Sequence, residues 1–474
     1  MRLRLVAISL LCVAAGTAGA QAAKSKPMQA GKSPELRIDY IEEQLPNGLK
    51  VLYHVDHSTP VAAVVLWYNV GSKMEQQGRT GFAHLFEHMM FQGSKNVAKG
   101  QHFGLLEAAG GRGGADINGT TNTDRTNYFE QVPSNQLELA LWLEADRMGT
   151  LLETVDQVKL DNQREVVKNE RRQGVDNQPY GTWVERVMGT VFPATHPYNH
   201  SVIGSMTDLS AATLADVQNF FRTYYAPNNA VLVIAGDIEI PGAKALVRKH
   251  FGAMPRGPAV PKLANMTVPV TIGREQRFVV DDALAPAPAV FVAYRVPSLR
   301  DRRAPAVGLL AGVVGSGRSS RLYDALVRKQ QVATNVGGFN FGFVDGADML
   351  VFNATGKPGA SADSLEKALL GELAKLGGNF TQAELDRVRA QERFAFVNGL
   401  QTTGGFGGRA DRLAEGWTYF RDPNRVNKVL GEFDRVSLAD LNALARERLV
   451  PSNRVIAVYV PVKKPAATTT SGTK

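Results

Sequence analysis

A segment near the middle of the chain recurs near its end, and this repeat constrains the fold more than any other feature. TLADVQNFFRTYYAPNNAVLV (213–233) aligns without gaps on SLADLNALARERLVPSNRVIA (437–457), 224 residues further on. The identical pairs are Leu214/Leu438, Ala215/Ala439, Asp216/Asp440, Arg222/Arg446, Pro227/Pro451, Asn229/Asn453 and Val231/Val455. Each copy has a capping-box-like helix start, then a Pro-x-Asn turn and an apolar strand. Helix-turn-strand units can look alike without a common origin, but the ungapped match favours two similar domains in tandem.

The repeat suggests where these domains begin and end. We place the first at 34–250 and the second at 275–463, so that each contains one copy of the repeated unit near its end. The intervening segment, 251–274, carries four prolines and is typical of a linker. The polar tail, 464–474, is predicted to be disordered.

The N-terminus is typical of an export signal. A basic start and an apolar run to Ala15 precede the small residues Ala18 and Ala20, which predicts a signal peptide at 1–20 and a periplasmic or secreted protein. A buried N-terminal helix is the alternative. The one cysteine of the chain, Cys12, lies inside this segment. A zinc site in the mature chain would therefore have to use histidines and carboxylates.

Composition excludes few functions. A hydrophobic content of 44% and a charged content of 21% are ordinary for a globular protein. The net charge of +9 is not gathered into a long Lys/Arg block, so we expect no nucleic-acid partner. After the signal, no run reaches about 18 uninterrupted apolar residues, so we expect no membrane span.

The stretch GFAHLFEHMMFQGS (81–94) predicts a metal-binding helix, which we expect from about Gly78 to Phe91. On a helix His84 and His88 share one face, with Glu87 beside them. Two neutral imidazoles can hold Zn²⁺, which lowers the pKa of bound water, and a carboxylate that is not a ligand can move the proton. This His-x-x-Glu-His order is the inverzincin pattern. The alternative is a core helix with two hydrogen-bonded histidines.

A catalytic zinc ion needs a third protein ligand and an open position. The stretch NQREVVKNERRQ offers Glu165 and Glu170. Five positions apart on a helix, they point about 140° away from each other, so we do not expect both to face one metal.

The chain resembles the pitrilysin and mitochondrial-processing-peptidase family of inverzincin zinc endopeptidases. The matching stretches, between about residues 40 and 460, are HLFEH, NGTTNTDRTNYFEQVP, REVVKNE, FPATHPYNHSVIG and the two Pro-x-Asn strands. The resemblance implies an α+β fold of two tandem homologous αβ domains, each a mostly antiparallel sheet covered by helices. It also implies one Zn²⁺ per chain, and cleavage of peptides or small unfolded proteins by a metal-activated water with Glu87 as general base.

The resemblance also bears on the remaining site residues. The spacing usual in the family selects Glu165 as the third ligand, whereas the local pattern Arg-x-Val-Val-x-x-Glu selects Glu170. We choose Glu170, because AAGGRGGADIN is longer than the usual loop of the family at that point. Asn118 and Gly119 stand where the family places a substrate-facing Asn-Ala pair, on an exposed edge strand that can pair with an extended peptide. A solvated strand without a ligand is the alternative.

One part of the family pattern is missing. Active relatives carry an arginine and, seven residues on, a tyrosine in the second domain, and Val327 and Thr334 occupy these positions. The resemblance therefore implies the zinc-bearing subunit of a bacterial two-subunit peptidase, whose partner of similar length supplies the pair. A homodimer that works without the pair, or a shifted alignment, is the alternative. A hypothesis of another class is a non-catalytic structural or assembly subunit, against which the intact motif argues.

Overall fold

A computed structural model describes residues 37–462, so the predicted signal peptide (1–20) and tail (464–474) lie outside the described residues. The strands are β1 (Ile41–Gln44), β2 (Lys50–Val55), β3 (Val61–Tyr68), β4 (Ile117–Thr121), β5 (Thr126–Pro133), β6 (Ala230–Gly236), β7 (Gln276–Asp282), β8 (Ala289–Pro297), β9 (Ala333–Asn340), β10 (Ala347–Gly356) and β11 (Arg454–Pro461). The helices are α1 (Phe82–Met89), α2 (Gln101–Ala108), α3 (Leu137–Thr150), α4 (Gln157–Arg171), α5 (Trp183–Val191), α6 (Met206–Ala211), α7 (Leu214–Tyr224), α8 (Ile240–Phe251), α9 (Ala304–Gly315), α10 (Ala362–Ala374), α11 (Gln382–Gly399), α12 (Arg409–Phe420), α13 (Val429–Arg435) and α14 (Leu438–Arg448).

The strands form two sheets with the same internal order. The first runs β1-β2-β6-β3-β5-β4 and the second runs β7-β11-β8-β10-β9. In each sheet one pair is parallel, β2 with β6 and β7 with β11, and the other pairs are antiparallel. If β1 is set aside, the second sheet repeats the first strand for strand. The predicted α+β class and the tandem arrangement are confirmed, whereas the domain boundaries 34–250, 251–274 and 275–463 stay a prediction.

The repeated unit found in the sequence has the same local structure in both halves. Thr213 and Ser437 each cap a helix through a reciprocal capping box with the acidic residue three positions on. A 3₁₀ turn follows each helix and leads into the central strands β6 and β11. In each turn a buried asparagine donates its side-chain amide to a carbonyl in the last turn of the helix, Asn229 at 2.8 Å and Asn453 at 2.9 Å. These bonds satisfy carbonyls that a helix end leaves free, which explains why the Pro-x-Asn pattern recurs.

Both faces of each sheet are covered, because one helix from each half packs on the sheet of the other half. The central strands β3 and β6 of the first sheet and β8 of the second are buried along almost their whole length. On one face of the first sheet lie helices of the same half, including α1, α3 and α8. The opposite face is covered by α12, which comes from the second half and packs against β3 and β6. In return, α5 of the first half packs against β8 and β11.

Specific contacts fix these exchanged helices. Asp411 of α12 accepts a hydrogen bond from the indole of Trp67 on β3 (2.9 Å), whose ring also meets Tyr419 edge-on at 5.5 Å. On the other sheet, Trp183 of α5 stacks on Phe291 with 4.6 Å between ring centroids. Residues 38–462 accordingly belong to one compact unit. Within residues 37–462, no helix has the length and apolar character needed to cross a membrane.

Candidate metal centre

The helix that carries the two histidines is shorter than the sequence predicts. It begins after Gly81, whose φ of 88° lies in the left-handed region that glycine tolerates and a helix interior does not. It ends at Met89 rather than at Phe91. Its apolar residues Leu85, Phe86 and Met89 are buried in the first core, which holds the polar side chains of the opposite face in a fixed direction.

Three polar side chains converge beside this helix. The Nε2 atoms of His84 and His88 are 3.3 Å apart. Oε2 of Glu170, in the last turn of α4, lies 3.6 Å from Nε2 of His84 and 3.4 Å from Nε2 of His88. Two donors that each lie about 2.0–2.1 Å from one ion, at the tetrahedral angle, are about 3.4 Å apart. The three separations therefore fit a single tetrahedral ion, and two imidazoles with a carboxylate are ligands that zinc accepts.

The structure brings Glu170, and not Glu165, to the histidines. Helix α4 starts at an Asp156 cap, whose side chain accepts a hydrogen bond from the backbone of Lys159. Glu165 lies on another face of this helix, is 59% exposed and pairs with Lys168 at 2.8 Å. The angular separation expected from the sequence is therefore present, and it leaves one carboxylate beside the imidazoles.

The electrostatic environment acts differently on the pKa values of the three groups in the cluster. Burial, followed by the charge of His88, lowers the pKa of His84 to about 4, so this ring is neutral at pH 7, the form that binds metal. Burial also acts to lower the pKa of His88, but the hydrogen bond and the charge of Glu170 raise it overall. The hydrogen bond with His88 in turn lowers the pKa of Glu170, which keeps this carboxylate ionised.

Glu87 points to a different neighbour. Its side chain is buried, with 8% of the residue exposed, and its Oε2 accepts a hydrogen bond from Thr121 Oγ1 at 2.6 Å. Burial raises the pKa of Glu87 above its ordinary value. Sequence reasoning missed Thr121, although this residue lies in the Thr-rich stretch that resembles the edge strand of the family. The Glu87 carboxyl group therefore lies beside the cluster and binds a proton more tightly than an exposed glutamate does.

The strand that carries Thr121 also carries the predicted substrate-facing residues. β4 is the last strand of the first sheet, and apart from a bridge between Gly113 and Ile117 its outer edge has no strand neighbour within residues 37–462. Asn118 is half-buried, and its side-chain oxygen accepts the backbone N–H of Gly119 at 2.8 Å. A Cβ added at Gly119 would stand 3.2 Å from Cγ of Glu87. The edge strand therefore lies directly against the carboxyl group.

Comparisons with known proteins identify the family. The model described as "Insulinase (Peptidase family M16)" matches residues 50–202, and the model described as "Peptidase M16 inactive domain" matches residues 211–392. A zinc protease PqqE from Helicobacter pylori is 31% identical over 408 residues, which cover 85% of this chain and 88% of that protein. The chain belongs to peptidase family M16. The resemblance to pitrilysin and mitochondrial processing peptidase, predicted from the motifs, is confirmed.

Solved structures agree with this assignment to M16. The crystal structure of a protease from Helicobacter pylori superposes with a TM-score of 0.82 at 29% identity, covering 90% of this chain and all of that chain. A peptidase M16 inactive domain from Pseudomonas fluorescens has a TM-score of 0.76 at 19% identity, covering 90% of this chain and 100% of that chain, and so shares the fold. A probable mitochondrial-processing peptidase subunit beta from Arabidopsis thaliana is 25% identical, over 76% of this chain and 66% of that protein.

The second half of this M16 chain carries no comparable cluster. Helix α9, APAVGLLAGVVG, has no histidine or carboxylate, and His84, His88 and Glu170 form the one group of converging metal-ligand side chains within residues 37–462. Val327 lies in a π-helical segment, Tyr323–Lys329, and packs against the second core. Thr334 is the second residue of β9, and its hydroxyl donates a hydrogen bond to the backbone carbonyl of Thr355 at 3.2 Å.

Proposed function

We propose that this M16 chain is a zinc-dependent endopeptidase that cleaves peptides or small unfolded proteins. One observation carries the proposal, the convergence of His84, His88 and Glu170 at separations of 3.3–3.6 Å. These residues would hold one zinc ion per chain. When bound, zinc supplies Lewis acidity, which lowers the pKa of water and polarises a carbonyl group.

Glu87 would serve as the general base and then as the general acid. Its raised pKa brings it closer to the pH at which it has to accept and return protons. The Thr121 hydroxyl occupies Oε2, so we assign the proton transfer to Oε1 of Glu87. This oxygen would take a proton from the attacking water and pass it to the amine that leaves.

The edge strand would hold the substrate. A peptide in extended conformation can add to the outer edge of β4 through backbone hydrogen bonds, which places little demand on its sequence. Asn118 and Gly119 are the residues we assign to this contact. Because β4 lies against Glu87, a peptide on this edge would pass beside the base.

We further propose that a second subunit completes the site. Neither Val327 nor Thr334 can replace the arginine and tyrosine of active relatives, so a partner of similar length would supply them, with a homodimer as the alternative. The predicted signal peptide, and a similar Escherichia coli structure described as the periplasmic protease PqqL, support a periplasmic or secreted location.

The test compares three substitutions. Glu170→Gln should abolish stoichiometric zinc, measured by elemental analysis of the purified protein, whereas the matched Glu165→Gln should retain it. Glu87→Gln should keep zinc but lose about 10²–10⁴-fold of peptide cleavage. Wild-type protein without zinc would reject the proposal and favour a non-catalytic assembly subunit. Loss of zinc in Glu165→Gln but not in Glu170→Gln would identify Glu165, instead of Glu170, as the third ligand.

A further inference from the structure

The histidine helix α1 is capped by a side chain from outside the helix. Its N-cap residue, Gly81, has no side chain to offer. Glu75, six residues earlier, takes this role: its Oε2 accepts the backbone N–H of Gly81 at 2.9 Å and its Oε1 accepts that of Ala83 at 2.7 Å. The side chain of Glu75 is fully shielded from solvent. The carboxyl group therefore bridges the N–H of the N-cap residue and that of the second helical residue.

This contact matters because α1 is short. A helix of eight residues is marginal by itself, and its first N–H groups have no partner within the helix. The carboxyl oxygens of Glu75 accept hydrogen bonds from two of these groups. Burial raises the pKa of Glu75 to about 8, so the contribution rests on these hydrogen bonds rather than on a full negative charge at the helix end. Ala83 directly precedes His84 in the chain, so the bond to Ala83 fixes the backbone from which the first imidazole projects.

The segment that carries Glu75 is itself anchored to the turn after β4. The backbone N–H of Lys73 donates to the carbonyl of Thr123 at 3.0 Å, and the Lys73 ammonium group pairs with the buried Asp124 at 2.7 Å. A Cβ added at Gly71 would stand 2.4 Å from the carbonyl oxygen of Asn122, so the two segments are in close backbone contact. Residues 71–75 thus connect the helix to the hairpin that places Thr121 on Glu87.

We propose that Glu75 is a positioning residue for the metal centre. By bonding to both Gly81 and Ala83, it sets the rotation of α1 about its axis, and with it the directions of His84 and His88. Glu75 touches none of the ligands and acts only through the helix backbone. The inference rests on the proposed function, because it assumes that these histidines bind zinc.

The test measures the zinc affinity of the folded protein by competition with a chromogenic chelator. Glu75→Gln keeps the side-chain shape but turns one acceptor oxygen into a donor. The matched control is Asp348→Asn, because Asp348 is a buried carboxylate of the second half that accepts the backbone N–H groups of Gly342, Phe343 and Met349. Both variants should unfold more easily than wild type. Only Glu75→Gln should bind zinc more weakly, by about tenfold or more.

A second variant keeps the inference testable if Glu75→Gln does not fold. Glu75→Asp retains a carboxyl group but is too short to reach both N–H groups, so its zinc affinity should fall between those of Glu75→Gln and wild type. Unchanged affinity in a folded Glu75 variant overturns the inference, as does an equal loss in Asp348→Asn. Absence of zinc from wild-type protein would instead reject the proposed function itself.

Discussion

The exchange of helices between the halves predicts that a substitution in one half weakens both. Met188 on α5 is 2% exposed and lies in the cluster formed with the second sheet. Truncating a methionine at such a position costs about 2–5 kcal/mol, because apolar contacts are lost and a cavity remains. A protein of ordinary stability has about 5–15 kcal/mol, so Met188→Ala should lower the denaturation midpoint substantially. The exposed Arg186 on the same helix provides the control, since Arg186→Ala should change stability by about 0.5 kcal/mol or less.

Hydrogen exchange measured by mass spectrometry shows where the loss is felt. If the halves unfold together, protection should fall by the same free energy in β3 of the first sheet and in β8 of the second. Denaturation should remain a single transition in both variants. Two separate transitions, with protection of β3 unchanged by Met188→Ala, would refute the view that the exchanged helices join the halves into one cooperative unit.

Three further substitutions test individual contacts. Gly119→Ala should place a Cβ 3.0 Å from the buried ring of Tyr128 and 3.2 Å from Cγ of Glu87. We expect a cost of about 1–3 kcal/mol and a roughly tenfold loss of peptide cleavage, because the crowding displaces the base. Asn453→Ala should cost about 1–3 kcal/mol in urea denaturation, since it leaves buried carbonyl groups unpaired. Burial acts to raise the pKa of Glu384, but hydrogen bonds from Arg321 and from its capping-box partner lower it overall to about 2. The stabilisation from Glu384 is therefore present above its ordinary pKa of 4.5 and is lost as the pH falls towards 2. In Glu384→Gln, the free energy of unfolding should fall by about 1 kcal/mol less than in wild type over this pH range, after allowance for solvent screening.

Each of these has an outcome that contradicts it. Gly104 lies in α2 with open space around it, so Gly104→Ala should be neutral or stabilising, and an equal loss of cleavage there would remove the steric explanation for Gly119. A loss below about 0.5 kcal/mol for Asn453→Ala would mean that water replaces the amide. Melting temperatures of wild type and Glu384→Gln that fall in parallel between pH 5 and pH 2 would show that the ion pair adds nothing.

The parts of the molecule that sequence reasoning reached are those encoded by local spacing. Two histidines four positions apart must share a helix face, and residues 165 and 170 must point in different directions on theirs. The repeat at 213 and 437 likewise encodes a cap, a turn and a strand within about twenty residues, as the structure shows.

Contacts between segments that are distant in the chain cannot be recognised from the local spacing of residues. Thr121 meets Glu87 only because β4 lies beside α1, and the bond of Glu75 to α1 depends on how the preceding loop turns back. Glu87 and Thr121 are 34 residues apart in the chain and lie in different elements, so no local periodicity relates them. The exchange of α5 and α12 was equally invisible, because an amphipathic helix has the same pattern whichever sheet it covers.

The duplicated architecture also explains why one half alone carries the cluster. Helix α9 packs against α11, α14 and β9 much as α1 packs against α4, α7 and β4. In the second half, however, the helix equivalent to α1 is apolar and almost fully buried, and the position 224 residues after Glu170 is Phe394, which is 72% exposed. Because α9 carries no histidine, a carboxylate at position 394 would have no imidazoles beside it with which to form a metal site. The second half does provide α12, which covers β3 and β6, so the sheet on which α1 rests is completed by a half whose described residues form no such cluster.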